Sequence, residues 1–547
     1  MTRFFLIAAS SIVSIFFGVG YANGADSVVP SSQHFFSIHL DESTIKQGYT
    51  VTAFDDAIKL SLVPSILSDQ TDVQIEEIFG METPWQLKQI SPIYQFEFFN
   101  KSAYDPSRPF SIQLKTPERS PDYAQVFFYD KGRGTWNPLP TQRSLDGLYV
   151  RSLIHLPYAR IAVFAYTDVR VSGSASWYAH KAGHFAASPD FPKGSRIRVH
   201  NTENGKYIDV TINDYGPDRL LFPTRVVDLE KRAFQKIASL RDGIISVRIE
   251  PLTITSGAKG VLRIPPNGLG AQPIIASKAA IVLDESTGGV LYEKNSNTRM
   301  PIASLSKIVA LRVFLDTNPN LSDIVTYSIE DEKQTHAYVD YPWEAATLRL
   351  KNGDRLSVED LIYASLVGSA NNAVETLVRI SGMPRDQFIA KMNAYAESLE
   401  LSTVHFEEPT GLSPNNASSA YEYALLARAA LSHPIIQKAS STRTYSFEVE
   451  NRKEKRTIKN TNPLLVSGLS VTGSKTGYLH EAGYCLMTRI QGTKGSIIAV
   501  TFGDTNNTLS VWTVEDLLRF GDMQLSKRAR VKMRESESRA ITQALSE

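Results

Sequence analysis

Ser304 and Lys307 are three residues apart, the spacing that puts two side chains on one face of a helix. The run 308–315 after them is apolar enough to predict a buried central helix. Burial disfavours the charged form of a lysine, so a neutral Lys307 can act as a general base on the Ser304 hydroxyl. The pair therefore predicts nucleophilic catalysis through a covalent intermediate on Ser304.

A second motif, Ser369 and Asn371, follows the apolar run 361–367, which predicts a helix that ends in a loop. We expect Ser369 to pass protons between Lys307 and a leaving amine. Asn371 is expected to hold Lys307 and a substrate amide by hydrogen bonds. Because a Ser–Lys pair alone often arises by chance, the prediction of catalysis depends on further motifs in order behind it.

The third motif is Lys475, Thr476 and Gly477, followed by a strand-like run at 482–486. A strand edge at this place can pair with an extended peptide as an added strand. Lys475 is expected to keep Lys307 neutral and to attract a substrate carboxylate, to which the Thr476 hydroxyl can donate a hydrogen bond. Gly477 leaves room where a substrate must approach the backbone closely.

Acyl transfer also needs donors for the negative charge that develops on the carbonyl oxygen. We expect the backbone N–H groups of Ser304 and Tyr478 to form this oxyanion hole. A helix that begins at Ser304 would favour the same charge through the dipole of its first turn.

With these three motifs, residues 277–523 resemble the D-alanyl-D-alanine carboxypeptidase family of low-molecular-mass penicillin-binding proteins. Further matching runs are 279–288, 301–308, 353–361 and 409–412. The resemblance implies an α/β penicillin-binding domain with an antiparallel sheet flanked by helices. It also implies that the penultimate D-alanine of a peptidoglycan stem peptide acylates Ser304, that the terminal D-alanine leaves, and that water hydrolyses the acyl-enzyme. β-Lactams would be covalent inhibitors at the same serine.

Two positions depart from the family pattern. The family often has Asp after the Asn of the second motif, where this chain has Asn372. An arginine near the strand after the third motif is missing, and Lys494 and Gly495 lie roughly at its place. Because that arginine helps to bind a terminal carboxylate, D,D-endopeptidase action is an alternative to carboxypeptidase action. A β-lactamase-like hydrolase and a catalytically inactive peptidoglycan-binding protein are further alternatives.

Residues 171–254 form a separate β-rich segment that resembles the double-psi β-barrel of rare lipoprotein A, a family of septal lytic transglycosylases. The runs that carry this resemblance are 193–199, 208–217, 225–229 and 245–249. In that family an Asp in an Asn-Asp-x-Gly-Pro run is the acid/base, and Asp214 holds this place. The family's histidine is replaced by Ser188, and His184 is not at the matching position.

One carboxylate is a poor set for cleaving a glycosidic bond, so we expect this barrel to bind glycan without cutting it. A bifunctional enzyme with lytic transglycosylase activity is the alternative. Asp228 is expected to be a structural hydrogen-bonding residue at a strand end. Trp177 and Tyr178 could stack on sugar rings or pack in the core.

The chain of 547 residues is long enough for several domains, and its formal net charge of +1 gives no indication of a nucleic-acid partner. A positive start, an apolar run and small residues predict a signal peptide, and thus a periplasmic or wall-associated protein, with membrane contact only if that segment is uncleaved. We predict no cofactor and no metal. Cys485 is the single cysteine and is expected to be a small core residue. The predicted divisions are a signal peptide (1–24), a β-sandwich-like domain (25–170), the barrel (171–254), a linker (255–276), the carboxypeptidase-like domain (277–523) and a charged tail (524–547).

Overall fold

The structure is a computed structural model that describes residues 34–546, except 118–122, 145–146, 167–168, 180–181, 219–220, 223, 256–261, 263–267 and 340. The chain forms two compact units, Met1–Ala271 and Gln272–Glu547. The predicted signal peptide lies outside the described residues. Within them, we find no helix with both the length and the apolar character needed to cross a membrane.

The first part of unit 1 is a sandwich of two antiparallel sheets, as the spacing of short alternating runs predicts. One sheet has the strand order β1-β4-β6-β12-β8-β9, with β5 paired to β12, and the other has the order β10-β11-β7-β3-β2. A short helix, α1 (Glu42–Gln47), joins β1 to β2. The strands are β1 (Phe35–Leu40), β2 (Tyr49–Ala53), β3 (Ile58–Leu62), β4 (Thr71–Ile78), β5 (Lys88–Gln89), β6 (Ile93–Phe98), β7 (Phe110–Lys115), β8 (Ala124–Asp130), β9 (Thr135–Pro138), β10 (Thr141–Arg143), β11 (Tyr149–Ile154) and β12 (Tyr158–Ala165).

The second part of unit 1 is a closed six-stranded barrel with the order β13-β17-β14-β16-β15-β18, which confirms the predicted barrel. The pairs β13–β17 and β14–β16 are parallel, and the other neighbours are antiparallel. Its elements are β13 (Ser172–Tyr178), β14 (Phe185–Ala187), β15 (Arg196–Asn201), β16 (Tyr207–Asp214), β17 (Arg225–Glu230), α2 (Lys231–Ile237) and β18 (Ile245–Thr253).

The sandwich and the barrel share one hydrophobic cluster, in which Phe127 and Trp136 of the sandwich join Phe191 and other barrel residues. Part of the predicted linker packs here too. Leu269 is buried, and its backbone N–H and carbonyl both bond to the backbone of Trp136. These contacts join the sandwich and the barrel in one compact unit, while the sandwich keeps a second hydrophobic core of its own.

Unit 2 contains a five-stranded antiparallel sheet of order β20-β19-β29-β28-β27, in which β27 is an edge strand. Its strands are β19 (Ala279–Asp284), β20 (Val290–Lys294), β27 (Val471–Leu479), β28 (Gly483–Gln491) and β29 (Ser496–Asp504). Three two-stranded pairs lie outside the sheet: β21 (Arg299–Pro301) with β24 (Ala417–Ser419), β22 (Ile324–Thr326) with β23 (Arg355–Ser357), and β25 (Thr444–Val449) with β26 (Glu454–Lys459).

Helices cover this sheet and form a second layer, which confirms the predicted α/β domain. They are α3 (Lys307–Leu315), α4 (Ile329–Lys333), α5 (Val358–Val367), α6 (Asn371–Ile380), α7 (Arg385–Glu397), α8 (Ala420–Ala430), α9 (Pro434–Ser441) and α10 (Asn507–Ser546). Helix α3 packs among α5, α6, α7 and α8, which explains why it is apolar on nearly every face. The predicted tail continues α10. Cys485 is buried in β28, as expected of a core residue.

Candidate active site

The candidate nucleophile Ser304 lies in a one-turn 3-10 helix, Ala303–Ser306, that leads directly into α3. The Nζ atom of Lys307 is 2.7 Å from the Ser304 Oγ atom. It also donates to the carbonyl oxygen of Thr410 at 2.5 Å. Ala303 has a left-handed φ of 49°, which a residue with a Cβ atom rarely adopts, so its surroundings must hold this turn.

The Lys307 side chain is completely buried. Burial lowers the pKa of its ammonium group to about 7, while the nearby charges of Glu408 and Glu375 act in the opposite direction. A substantial fraction of Lys307 is therefore neutral near neutral pH. This is the state in which an amine can accept the proton of the serine hydroxyl.

Ser369 lies between α5 and α6 with a left-handed φ of 57°. Its Oγ atom accepts a hydrogen bond from the Nζ atom of Lys475 at 2.9 Å. Asn371 begins α6, and its side-chain oxygen is buried without a hydrogen-bond partner among the described residues. The prediction that this amide oxygen holds Lys307 is therefore wrong, because the Thr410 carbonyl takes that place.

The contacts of the Lys475 side chain also differ from those expected from the sequence. The side chain is buried, and its Nζ atom donates to Ser369 and, at 2.7 Å, to the carbonyl oxygen of Thr476. Burial holds the pKa of Lys475 well below its usual range, and the charge of Lys307 lowers it further. Lys475 is thus directed inward to Ser369, whereas the sequence predicted a cation that attracts a substrate carboxylate.

The residues after Lys475 follow the open edge of the sheet on β27. The Oγ1 atom of Thr476 is 2.6 Å from that of Thr461, a residue that the sequence analysis did not identify. A Cβ atom at Gly477 would lie 3.1 Å from the Ser304 nitrogen, so this glycine lets β27 pack against the nucleophile's turn. The Tyr478 ring is half exposed and packs against the Tyr484 ring at an angle of 38°, with their centroids 4.5 Å apart.

The structure explains one departure from the family pattern. Asn372 is buried; its side-chain oxygen accepts from the Leu348 nitrogen and its amide donates to the Leu348 carbonyl, both at 2.9 Å. An ionised aspartate could accept the first bond but could not donate the second. Asn372 therefore fixes the neighbouring loop through a pair of bonds that requires an amide.

The second departure concerns Lys494 and Gly495, which form the turn between β28 and β29. Thr476 pairs with Leu486, and the strand runs on for five residues to Gln491 before this turn. Five residues of strand span about 17 Å. The turn therefore lies about 17 Å along the strand from Leu486, the residue that pairs with Thr476.

In the barrel, Asp214 is largely exposed, and the Nζ atom of Lys193 is 3.1 Å from its carboxylate. Ala187 on β14 pairs with Asp214 on one side and with Asp228 on the other. Burial raises the pKa of Asp228, against the lowering effects of Arg225 and a backbone hydrogen bond. The barrel thus places two carboxyl groups with different environments on the strands on either side of Ala187, and the sequence assigned only Asp214 to a site.

Four other barrel residues were considered as possible site residues from the sequence. Ser188 is buried and donates to the Val226 carbonyl, and His184 is exposed. The indole nitrogen of Trp177 donates to the Leu240 carbonyl at 3.3 Å, and the Tyr178 hydroxyl donates to Asn213 at 2.9 Å.

Residues 269–506 match the family model described as D-alanyl-D-alanine carboxypeptidase, and residues 166–249 match the one described as lytic transglycolase. A D-alanyl-D-alanine endopeptidase of Pseudomonas aeruginosa is 30% identical over 226 residues, which cover 41% of this chain and 70% of that relative. D-alanyl-D-alanine carboxypeptidase DacF of Bacillus subtilis is 30% identical over 281 residues, 50% of this chain and 71% of that relative.

Among solved structures, the Streptomyces K15 DD-transpeptidase is 26% identical, with a TM-score of 0.43, and the match covers 46% of this chain and 98% of that one. By its sequence relatives, this chain belongs to the D-alanyl-D-alanine carboxypeptidase family. Its N-terminal unit adds the lytic transglycolase-like barrel.

The close packing at Gly411 gives a test of this site geometry. A Cβ atom there would lie 2.0 Å from the Ala303 carbonyl oxygen, whereas nothing lies within 4 Å of one at Gly353; both glycines have a left-handed φ, of 84° and 86°. We expect Gly411→Ala to lower the free energy of unfolding by about 1–3 kcal/mol more than Gly353→Ala, because only the former adds a steric overlap. Urea titrations of the two variants measure the difference. Equal losses would contradict the packing of this loop on the serine turn.

Proposed function

We propose that this chain is a serine D-Ala-D-Ala carboxypeptidase that acts on peptidoglycan stem peptides through an acyl-enzyme at Ser304. The observation that carries the proposal is the 2.7 Å contact between the Ser304 hydroxyl and the completely buried amine of Lys307. A buried lysine with its pKa near neutrality is suited to the proton transfer that turns a serine into a nucleophile.

In the proposed reaction, Lys307 takes the hydroxyl proton while Ser304 attacks the carbonyl of the penultimate D-alanine. The backbone N–H groups of Ser304 and Tyr478 stabilise the oxyanion. Ser369 passes the proton that Lys307 has taken on to the leaving amine, so that Lys307 is neutral again, and the Ser369 hydroxyl is held by a hydrogen bond from Lys475. Water then hydrolyses the ester and restores the free serine.

The substrate peptide is proposed to bind along the open edge of β27, as an added strand. The Asn371 oxygen, which is buried without a partner, can accept an N–H group of that peptide. Thr476 and the half-exposed Tyr478 lie on the same strand and would contact the residues near the scissile bond. A β-lactam would occupy this place and acylate Ser304.

A second candidate is D,D-endopeptidase action on cross-links. The inward direction of Lys475, with its pKa well below the usual range, favours this reaction because a terminal carboxylate finds less positive charge. The Pseudomonas aeruginosa relative carries that name. In either case we propose that the protein works in the periplasm or at the cell wall.

For the barrel we propose glycan binding that holds the enzyme on its polymeric substrate. Glycan cleavage is the second candidate, and the specific observation that favours it is the position of Asp214 and Asp228 on either side of Ala187. The burial that raises the pKa of Asp228 would suit an acid, and the exposed Asp214 would suit a base.

Acylation is tested by labelling the full chain with a fluorescent penicillin. We expect Ser304→Ala to abolish labelling, because the variant lacks the hydroxyl proposed to form the ester, and Ser322→Ala, at an exposed serine, to label as the wild type does. Mass spectrometry of muropeptides then separates the two reactions: loss of one D-alanine indicates a carboxypeptidase, and loss of cross-linked dimers an endopeptidase. Labelling of Ser304→Ala would rule out this serine as the nucleophile.

The rate of acylation is expected to rise with pH and to reach half its maximum near the pKa of Lys307, about 7. Protonated Lys307 cannot accept the serine proton, so the rate falls below this value. The measurement is the acylation rate constant at constant ionic strength across the neutral range. A rate that does not change there would contradict the role of Lys307 as a neutral base.

The barrel is tested by pelleting with purified sacculi. We expect Asp214→Asn to weaken this binding by about tenfold, the loss of roughly one polar contact, and Glu203→Gln, at an exposed acid of the same barrel, to leave it unchanged. No anhydromuropeptides are expected from the wild type. Their release by the wild type and loss in Asp214→Asn would instead establish glycan cleavage.

A further inference from the structure

The carboxylate of Glu408 is completely buried and is surrounded by donors from the loop that follows it. Its Oε2 atom accepts from the backbone nitrogen and the hydroxyl of Thr410, both at 2.6 Å. Its Oε1 atom accepts from the nitrogens of Gly411, Leu412 and Ser413 at 2.5, 2.7 and 3.3 Å. One side chain thus fixes the backbone of the whole turn 410–413.

Asn416 connects this turn to the serine turn. Its amide nitrogen donates to the Glu408 carboxylate at 3.1 Å, to the Glu408 carbonyl at 2.7 Å and to the Ser306 hydroxyl at 2.9 Å. Its backbone carbonyl accepts from the Ile302 nitrogen. The loop and the turn that carries Ser304 are therefore held as one unit.

The part of this loop that faces the reaction is the Thr410 carbonyl, 2.5 Å from the Lys307 Nζ atom. A neutral amine has two N–H groups and one lone pair. When one N–H group is bound by this carbonyl, the rotation of the amine is restricted and its lone pair can be directed at the Ser304 hydroxyl. The direction of the carbonyl in turn depends on the Glu408 carboxylate.

We propose that Glu408 is a positioning residue for acylation, which aims the Lys307 amine at Ser304 through the Thr410 carbonyl. The inference rests on the proposed acyl-enzyme chemistry and goes beyond the three sequence motifs. Glu408 does not touch the serine, and its effect passes entirely through the loop and through its charge.

The titratable groups around Lys307 come from three elements. Glu408 lies on the loop before β24, Glu375 on α6, and Lys475, whose pKa is well below its usual range, on β27. Glu375 is bound by Arg385 of α7 at 2.9 Å, which offsets its charge. Glu408 is bonded to neutral donors, so its negative charge is the one that most strongly opposes the effect of burial on the pKa of Lys307.

The test is the pH dependence of acylation by a fluorescent penicillin in the full chain. Glu408→Gln removes the charge and the anionic acceptors, so we expect the maximal rate to fall by about 10²-fold, as for a misplaced catalytic group. The pH at which the acylation rate falls to half its maximum should move lower by about one unit, because the pKa of Lys307 falls when the opposing charge is lost. Glu408→Asp keeps the negative charge on a shorter side chain. It should lower the maximal rate and leave the pH of the half-maximal rate unchanged.

Glu407→Gln is the matched control, since this neighbouring carboxylate bonds to Asn415 and to the Ser413 hydroxyl instead of the turn's N–H groups. The maximal acylation rate of Glu407→Gln and the pH of its half-maximal rate should match those of the wild type. A lower rate in Glu408→Gln without a change in the pH of the half-maximal rate would contradict an effect of the Glu408 charge on Lys307. A wild-type rate in Glu408→Asp would contradict the proposal that Glu408 positions the Lys307 amine. The aspartate variant decides the matter even if the glutamine variant does not fold. Failure of the wild type to label would instead refute the proposed function.

Discussion

Removing the amine of Lys307 from water is the constraint on which the rest of unit 2 depends. A charged ammonium in a dry interior is costly unless it is paired or loses its proton. Here both responses are present, because burial lowers the pKa of the group and two buried carboxylates oppose the shift. Among the described residues, the amine forms hydrogen bonds with the Ser304 hydroxyl and the Thr410 carbonyl. The fold thereby keeps a fraction of this amine neutral near neutral pH, 2.7 Å from the Ser304 hydroxyl.

Three separate parts of the chain enclose this amine. The apolar helix α3 removes water, the edge strand β27 packs on the serine turn at Gly477, and the loop at 410–413 supplies the carbonyl. The left-handed backbone of Ala303 fits the same description, because the turn is held by its neighbours on two sides. A change in any of the three parts should therefore alter the position of the amine as well as the stability of the unit.

Unit 1 is organised differently. Its sandwich and barrel share a hydrophobic cluster, so the barrel is supported on one side by Phe127 and Trp136 of the sandwich. Asp214 and Asp228 lie on the strands on either side of one short strand, β14. Asp214 is largely exposed, whereas burial raises the pKa of Asp228.

Sequence alone determined what local geometry fixes. The three-residue spacing of Ser304 and Lys307 on a helix, the apolar run of α3 and the strand alternation of the barrel all follow from backbone periodicity. The resemblance to the D-alanyl-D-alanine carboxypeptidase family, which the three motifs carry, implied that these motifs meet in one site. It correctly predicted the sandwich, the closed barrel and the α/β unit.

Tertiary structure decided which partner each side chain meets, because those partners are distant in the chain and the choice is made by packing. Lys307 bonds to a carbonyl 103 residues away, and Lys475 turns inward to Ser369, 106 residues away. Every residue has a backbone carbonyl, so the sequence could not predict the hydrogen bond between Lys307 and the Thr410 carbonyl. For the same reason it could not predict the role of Glu408, which fixes that carbonyl. Asp228 likewise became a candidate only when the strand order placed it opposite Ala187.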